Sequence, residues 1–143
     1  MRRYSAQYIT QLLAQRDYGA LVDLQGVGLG WDGFDSEHPT FGWPYPIFAV
    51  FELVTWIAHA DRSGDWTYYE ATPVARVDSV LAALDRLKAV ELHRQYAYGK
   101  ENWQNNGATD KLDHLIRENE QLIINWAFAV LGDHPAELAS ISD

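Results

Sequence analysis

The chain has 143 residues, 48% of them apolar and 13% aromatic, with a formal net charge of −9 and no cysteine. That length buries one compact core, read as a single domain over residues 1–143, and the apolar content excludes a disordered chain. The missing cysteines exclude disulfides, thiolate zinc sites and cysteine nucleophiles.

In chain order, Ser5 is a good N-cap for a first helix, with Tyr4 and Ile9 placed as a hydrophobic staple and Ile9, Leu12 and Leu13 as its apolar stripe. Leu21 and Leu24 belong to a short continuation after Gly19. Residues 25–46 hold five glycines and three prolines and read as a loop. Pro46 opens a second helix, where Ile47, Val50, Phe51, Val54 and Ile57 keep 3.6-residue spacing. Phe48, Leu53 and Trp56 spread that apolar surface round the cylinder, so this helix lies central in the core and ends near Gly64 in a left-handed turn.

Thr72-Pro73 starts a third helix, marked by Val77, Val80, Leu81, Leu84 and Leu87, running to Gly99 with a bend near Val90. The segment GKENWQNNGATD is a turn-rich connection. Thr109 is read as the cap of a last long helix carrying Leu112, Leu115, Ile116, Leu122, Ile123, Trp126 and Val130. Gly132 and Pro135 stop it. No stretch makes a convincing strand, so the expected fold is all-α, a bundle-like domain with one long Gly/Pro/aromatic loop.

The charge is uneven. Between Arg16 and Arg62 lie Asp17, Asp23, Asp32, Asp35, Glu37, Glu52 and Asp61, with no lysine or arginine. Direct nucleic-acid binding is disfavoured, because affinity for phosphates comes from basic side chains. A basic protein partner is the natural complement, and a merely solvated acidic face is the bland alternative. With no continuous signal-type apolar core and no apolar run of the about 20 residues that cross a bilayer, the chain reads as a cytoplasmic protein without a membrane partner.

Gly28, Gly30 and Gly33 match the dinucleotide pattern G-x-G-x-x-G. That motif holds a pyrophosphate only after a strand and at the start of a helix. Here ALVDLQ precedes it as a helix end, FDSEHPTFGWPYP follows, and Asp32, Asp35 and Glu37 would repel phosphate. The match is accidental. Of the loop aromatics Trp31, Phe34, Phe41, Trp43 and Tyr45, most are expected to fold back over the core, with Trp43-Pro44-Tyr45-Pro46 a stiff lead-in to the second helix. The residues assigned to partner binding are Asp23, Trp31, Asp32, Phe34, Asp35 and Glu37.

Glu52 and His59 share a helical face seven residues apart and are the candidates for a catalytic or ligand site, against a structural role for the buried carboxylate. The chain has no H-E-x-x-H, G-x-S-x-G or S-x-x-K, and no metal, cofactor or reaction type is assigned. Asn119, within an apolar stripe, either sets the register of a helix pair at a homodimer seam or meets solvent.

The order of these features resembles the DNA-mimic-protein domain family, small acidic helical modules whose founding member imitates duplex DNA and binds a transcription factor. WDGFD at 31–35 stands where the family has an Asp-Gly-aromatic-acid loop, and Trp56 where its apolar helix has a tryptophan. ADRSGDWTYYE at 60–70 stands for its Asn-Asn-Gly-Gly turn and aromatic pair, through Gly64, Trp66, Tyr68 and Tyr69. Only Gly64 of that turn is kept, and Thr67 stands where a Gln is expected. The resemblance implies a non-enzymatic protein-binding module, and with the acidic segment the expected partner is a basic protein, a transcription factor or a toxin. Its relatives beside toxin loci imply an alternative, an immunity protein that neutralises a toxin. A small enzyme or ligand binder using Glu52 and His59 is the third reading.

Overall fold

The computed structural model describes residues 5–142, which form nine helices and no strand. The all-α expectation holds. The helices are α1 (Ala6–Gln15), α2 (Tyr18–Leu29), α3 (Tyr45–Arg62), α4 (Asp65–Ala71), α5 (Val74–Arg86), α6 (Val90–Asn102), α7 (Asn106–Glu118), α8 (Glu120–Asp133) and α9 (Pro135–Ser140).

Their ends follow from local chemistry. The Ser5 hydroxyl accepts the Tyr8 N–H, as its cap role predicts, while Tyr4 lies outside the described residues. Arg16 turns left-handed at φ 54°, and Asp17 Oδ1 then accepts the Ala20 N–H at 2.8 Å. The expected short continuation is thus a full helix with its own cap, and the non-helical segment shrinks to residues 30–44. Residues 65–71, between the second and third expected helices and given no element from the sequence, form α4.

The third expected helix is two. Lys88 adopts φ 57°, and the Ala89 N–H reaches back to the Leu84 carbonyl at 3.0 Å, closing α5 before α6 begins. The last helix also breaks, at Asn119, whose backbone N–H and side-chain Nδ2 both donate to the Leu115 carbonyl. The turn-rich connection is mostly helical, and the cap of α7 is Asn105, whose Oδ1 accepts the Ala108 N–H at 2.9 Å. Thr109 sits inside α7 and is buried. Asn105→Ala should therefore cost about 1 kcal/mol, read as a lower urea midpoint with an unchanged slope.

Contacts cluster in two units, one of residues up to Val54 together with those from Gln121 onward, the other Thr55–Glu120. In the first unit, α3 contributes Ile47, Phe48, Ala49, Val50 and Phe51, all without exposure, as expected of a central helix. Gly28 of α2 lies so close to the Phe51 and Trp43 rings that a Cβ there would collide with them. In the second unit, the Trp56 indole N–H donates to Tyr69 Oη at 3.0 Å. The Tyr69 hydroxyl donates to the Tyr96 carbonyl at 2.9 Å, and the Tyr68 and Tyr96 hydroxyls meet at 2.7 Å. Four large aromatic side chains thus bury their polar tips on one another.

Candidate functional sites

In the first unit, α2 carries the first part of the glycine motif inside a helix: Gly28 is its close-packing point and Gly30 its C-cap. A helix runs into a loop here, the reverse of the strand-to-helix order that presents N–H groups to phosphate. The loop that follows is tied down at many points. Phe34 N–H donates to the Trp31 carbonyl, Asp35 N–H to Phe41, His38 N–H to Asp35 and Phe41 N–H to His38, all at 3.0–3.1 Å. The Trp43 indole N–H reaches back to the Gly28 carbonyl at 3.1 Å.

The loop aromatics do turn inward. Phe41 is held at φ 59°, uncommon for an aromatic residue, with its ring 5.2 Å from Phe34, 5.0 Å from Trp43 and 6.4 Å from Phe48. Trp43 is buried, while Trp31 and Phe34 are half-buried, the Trp31 ring covering Gly33. The loop's carboxylates stay outward: Asp32, Asp35 and Glu37 are exposed, beside Ser36 and His38, as is Asp23 on α2. Asp35 Oδ1 accepts the Glu37 N–H at 3.0 Å, and among the described residues none of these acids pairs with a lysine or arginine. Asp17 is exposed with its carboxylate on its cap. Glu52 is buried, so the acidic segment is not displayed as a whole.

The second unit holds a different arrangement. The chain leaves α3, turns at Gly64 with φ 101°, and starts α4 at Asp65. The Asp65 N–H donates to Oδ1 of Asp113 on α7 at 2.8 Å. Asp65 has no exposure, and its carboxyl lies against that of Asp113. Burial, with the Asp113 carboxyl beside it, pushes Asp65 up to about 8, so the acid is held neutral near pH 7. A cleft of about 500 Å³ opens over Asp113, with Asp61, Arg62, Trp66, Asp110 and Arg117 around it. Burial and the Asp61 carboxylate also raise Glu120 above the usual carboxylate range.

Of the family-motif residues, Gly64 makes the turn and Trp66 is 40% exposed at the cleft, whereas Tyr68 and Tyr69 are core residues of α4. His59 is half-buried. The Thr67 hydroxyl donates to the Gly64 carbonyl at 2.7 Å, so its oxygen accepts the His59 Nδ1–H at 2.9 Å and Nε2 keeps the lone pair. Burial first and Arg62 second lower the His59 pKa. Glu52 belongs to the first unit and His59 to the second.

The Asp65–Asp113 pair was not among the sequence candidates. Asp113 carries a readable signal, since Thr109, Leu112, Asp113 and Ile116 keep the i, i+3, i+4, i+7 spacing of a buried face with an acid inside it. Asp65, in a turn-like string, carries none. Among the described residues no three His, Asp or Glu side chains are arranged to hold a metal ion, and no helix is long and apolar enough to cross a membrane. No protein-family model, no curated protein and no solved structure matches the chain.

Proposed function

We propose that this chain is a non-enzymatic acidic interaction module that docks a basic surface of a partner protein through the loop at residues 30–44. The observation that carries the reading is the pairing of a rigid backbone with unneutralised charge. Among the described residues, Asp32, Asp35 and Glu37 are exposed without a lysine or arginine partner, on a segment pinned by the Asp35–Phe41 and Trp43–Gly28 hydrogen bonds. Pre-ordered carboxylates lose little entropy on docking and steer a basic partner at long range. Apolar contact is available on α2, which leads into the loop. Val22 and Leu29, 41% and 49% exposed, flank Gly26 on one helical face, and Gly26 has open space above it.

The partner class is the basic face of a DNA-binding regulator, with carboxylates standing in for phosphates. A toxin encoded immediately upstream would make the same surface that of an immunity protein. The test compares wild type with the triple variant Asp32→Asn, Asp35→Asn, Glu37→Gln in capture of binding partners at low ionic strength, followed by a salt gradient. Wild type should retain a basic protein that salt releases before physiological strength is greatly exceeded, and the triple variant should lose it. Capture indifferent to both salt and the substitutions would sink the reading.

A further inference from the structure

We infer that the small cleft between α6 and α7 binds an aromatic acid that carries a ring hydroxyl, of the 4-hydroxybenzoate kind. The inference is independent of the acidic loop, since every residue it uses lies within Thr55–Glu120. Arg94, Gln95 and Tyr98 line the cleft from α6, and Lys111, Leu112 and Leu115 from α7. What marks it as a site is Gln95, only 7% exposed. Its Nε2 donates to Glu91 Oε1 at 3.2 Å, which fixes the amide, because the flipped form would set its carbonyl against a carboxylate. Its Oε1 is buried without a hydrogen-bond partner. Glu91 is not part of the lining, so the amide's NH2 edge is turned out of the cleft and the orphaned acceptor is left on the cleft side. A buried acceptor in that state destabilises the free protein, and a donor brought in by a ligand removes the penalty.

The other lining residues define what carries that donor. The cleft volume, about 120 Å³, suits a single ring, since a closed apolar cavity of roughly 150 Å³ holds benzene. Leu112, Leu115 and the Tyr98 ring give apolar walls, one of them aromatic. The rim is cationic. Arg94 is paired with Glu91, whereas Lys111 is exposed, makes no ion pair among the described residues and stands 5.8 Å from the Tyr98 ring centroid. A guest therefore needs a neutral donor at its inner end, a flat apolar body and a negative outer end. A hydroxybenzoate has the three in that order. Its hydroxyl donates to Gln95 Oε1, its ring fills the space beside the leucines and Tyr98, and its carboxylate meets Lys111. The last torsion of a glutamine is soft, so the amide turns to meet the hydroxyl with little strain.

The experiment titrates the full chain with 4-hydroxybenzoate, benzoate and phenol, following the Gln95 side-chain amide and the Leu112 and Leu115 methyl resonances. 4-Hydroxybenzoate should give saturable shifts at all three residues in the millimolar range or below. Benzoate, without the donor, should bind about tenfold more weakly, the loss expected when a buried acceptor stays unpaired. Phenol, without the charge, should also bind more weakly, and by less at high salt. Gln95→Leu removes the orphaned acceptor at similar volume, so the variant should fold, and it should bind 4-hydroxybenzoate no better than benzoate. Lys111→Gln, at an exposed position with little risk to folding, should erase the advantage over phenol. No saturable shift with 4-hydroxybenzoate, equal affinity of wild type for 4-hydroxybenzoate and benzoate, or a preference for the hydroxyl that survives Gln95→Leu would overturn the proposal.

Discussion

Asp65→Asn should stabilise the protein at pH 8 and leave it nearly unchanged at pH 4. Asp65 is fully buried, and burial first, then its hydrogen bond to the Asp113 carboxyl and that group's charge, raise it from 3.8 to about 8. The folded state therefore keeps a proton that the unfolded chain releases above about pH 4. Between those two values the unfolded state binds fewer protons, so stability falls as pH rises, by at most about 1.4 kcal/mol per pH unit for one proton. Below the unfolded value the contribution is complete, and above the folded value the loss levels off. Asparagine has the shape of the neutral acid and never ionises, so it removes the slope. Urea unfolding at pH 4, 6 and 8 measures this directly: the wild-type midpoint should decline across the series, and the variant's should decline much less. Parallel curves for the two proteins would mean that Asp65 is ionised in the fold at little cost.

Gly99→Ala should destabilise by about 1–3 kcal/mol, the usual range for overfilling a packed core. On an open helix face the same change stabilises by roughly 0.5–1 kcal/mol, because glycine loses more backbone freedom on folding. At Gly99 in α6, however, a Cβ would run into the Tyr69 ring and hydroxyl. That ring cannot step aside cheaply, since its hydroxyl accepts from the Trp56 indole and donates to the Tyr96 carbonyl. Gly26→Ala is the matched control, with nothing within 4 Å of the added carbon. The two variants should move the thermal midpoint in opposite directions. If both raise it, α4 and α6 are packed more loosely than the Trp56–Tyr69–Tyr96 chain requires.

The features legible from residue order are those set within one helix or one turn. The all-α class, the Ser5 cap, the burial of α3 and the rejection of a phosphate loop all follow from spacing, capping chemistry or the type of segment on either side. The inward turn of Trp43 and Phe41 was legible too, because so much aromatic surface next to an apolar helix favours burial. The interruption before Val90 was legible only as a bend, not as the full break at Lys88, and the break at Asn119 was not legible. The apolar period runs across both positions, and only a carbonyl accepting back-bonds at Leu84 or Leu115 marks the end.

By itself the chain determined its secondary-structure class, its first cap, its core helix and the run of acids without a base, since each depends on neighbours a few residues away. Tertiary structure alone decided that Glu52 is buried while Asp32, Asp35 and Glu37 stay outside, that Gly99 faces Tyr69, and that Asp65 meets Asp113 across 48 positions. The physical reason is the same in each case. A carboxyl's charge state and a glycine's necessity are set by the atoms packed against them, and those atoms come from helices distant in the chain.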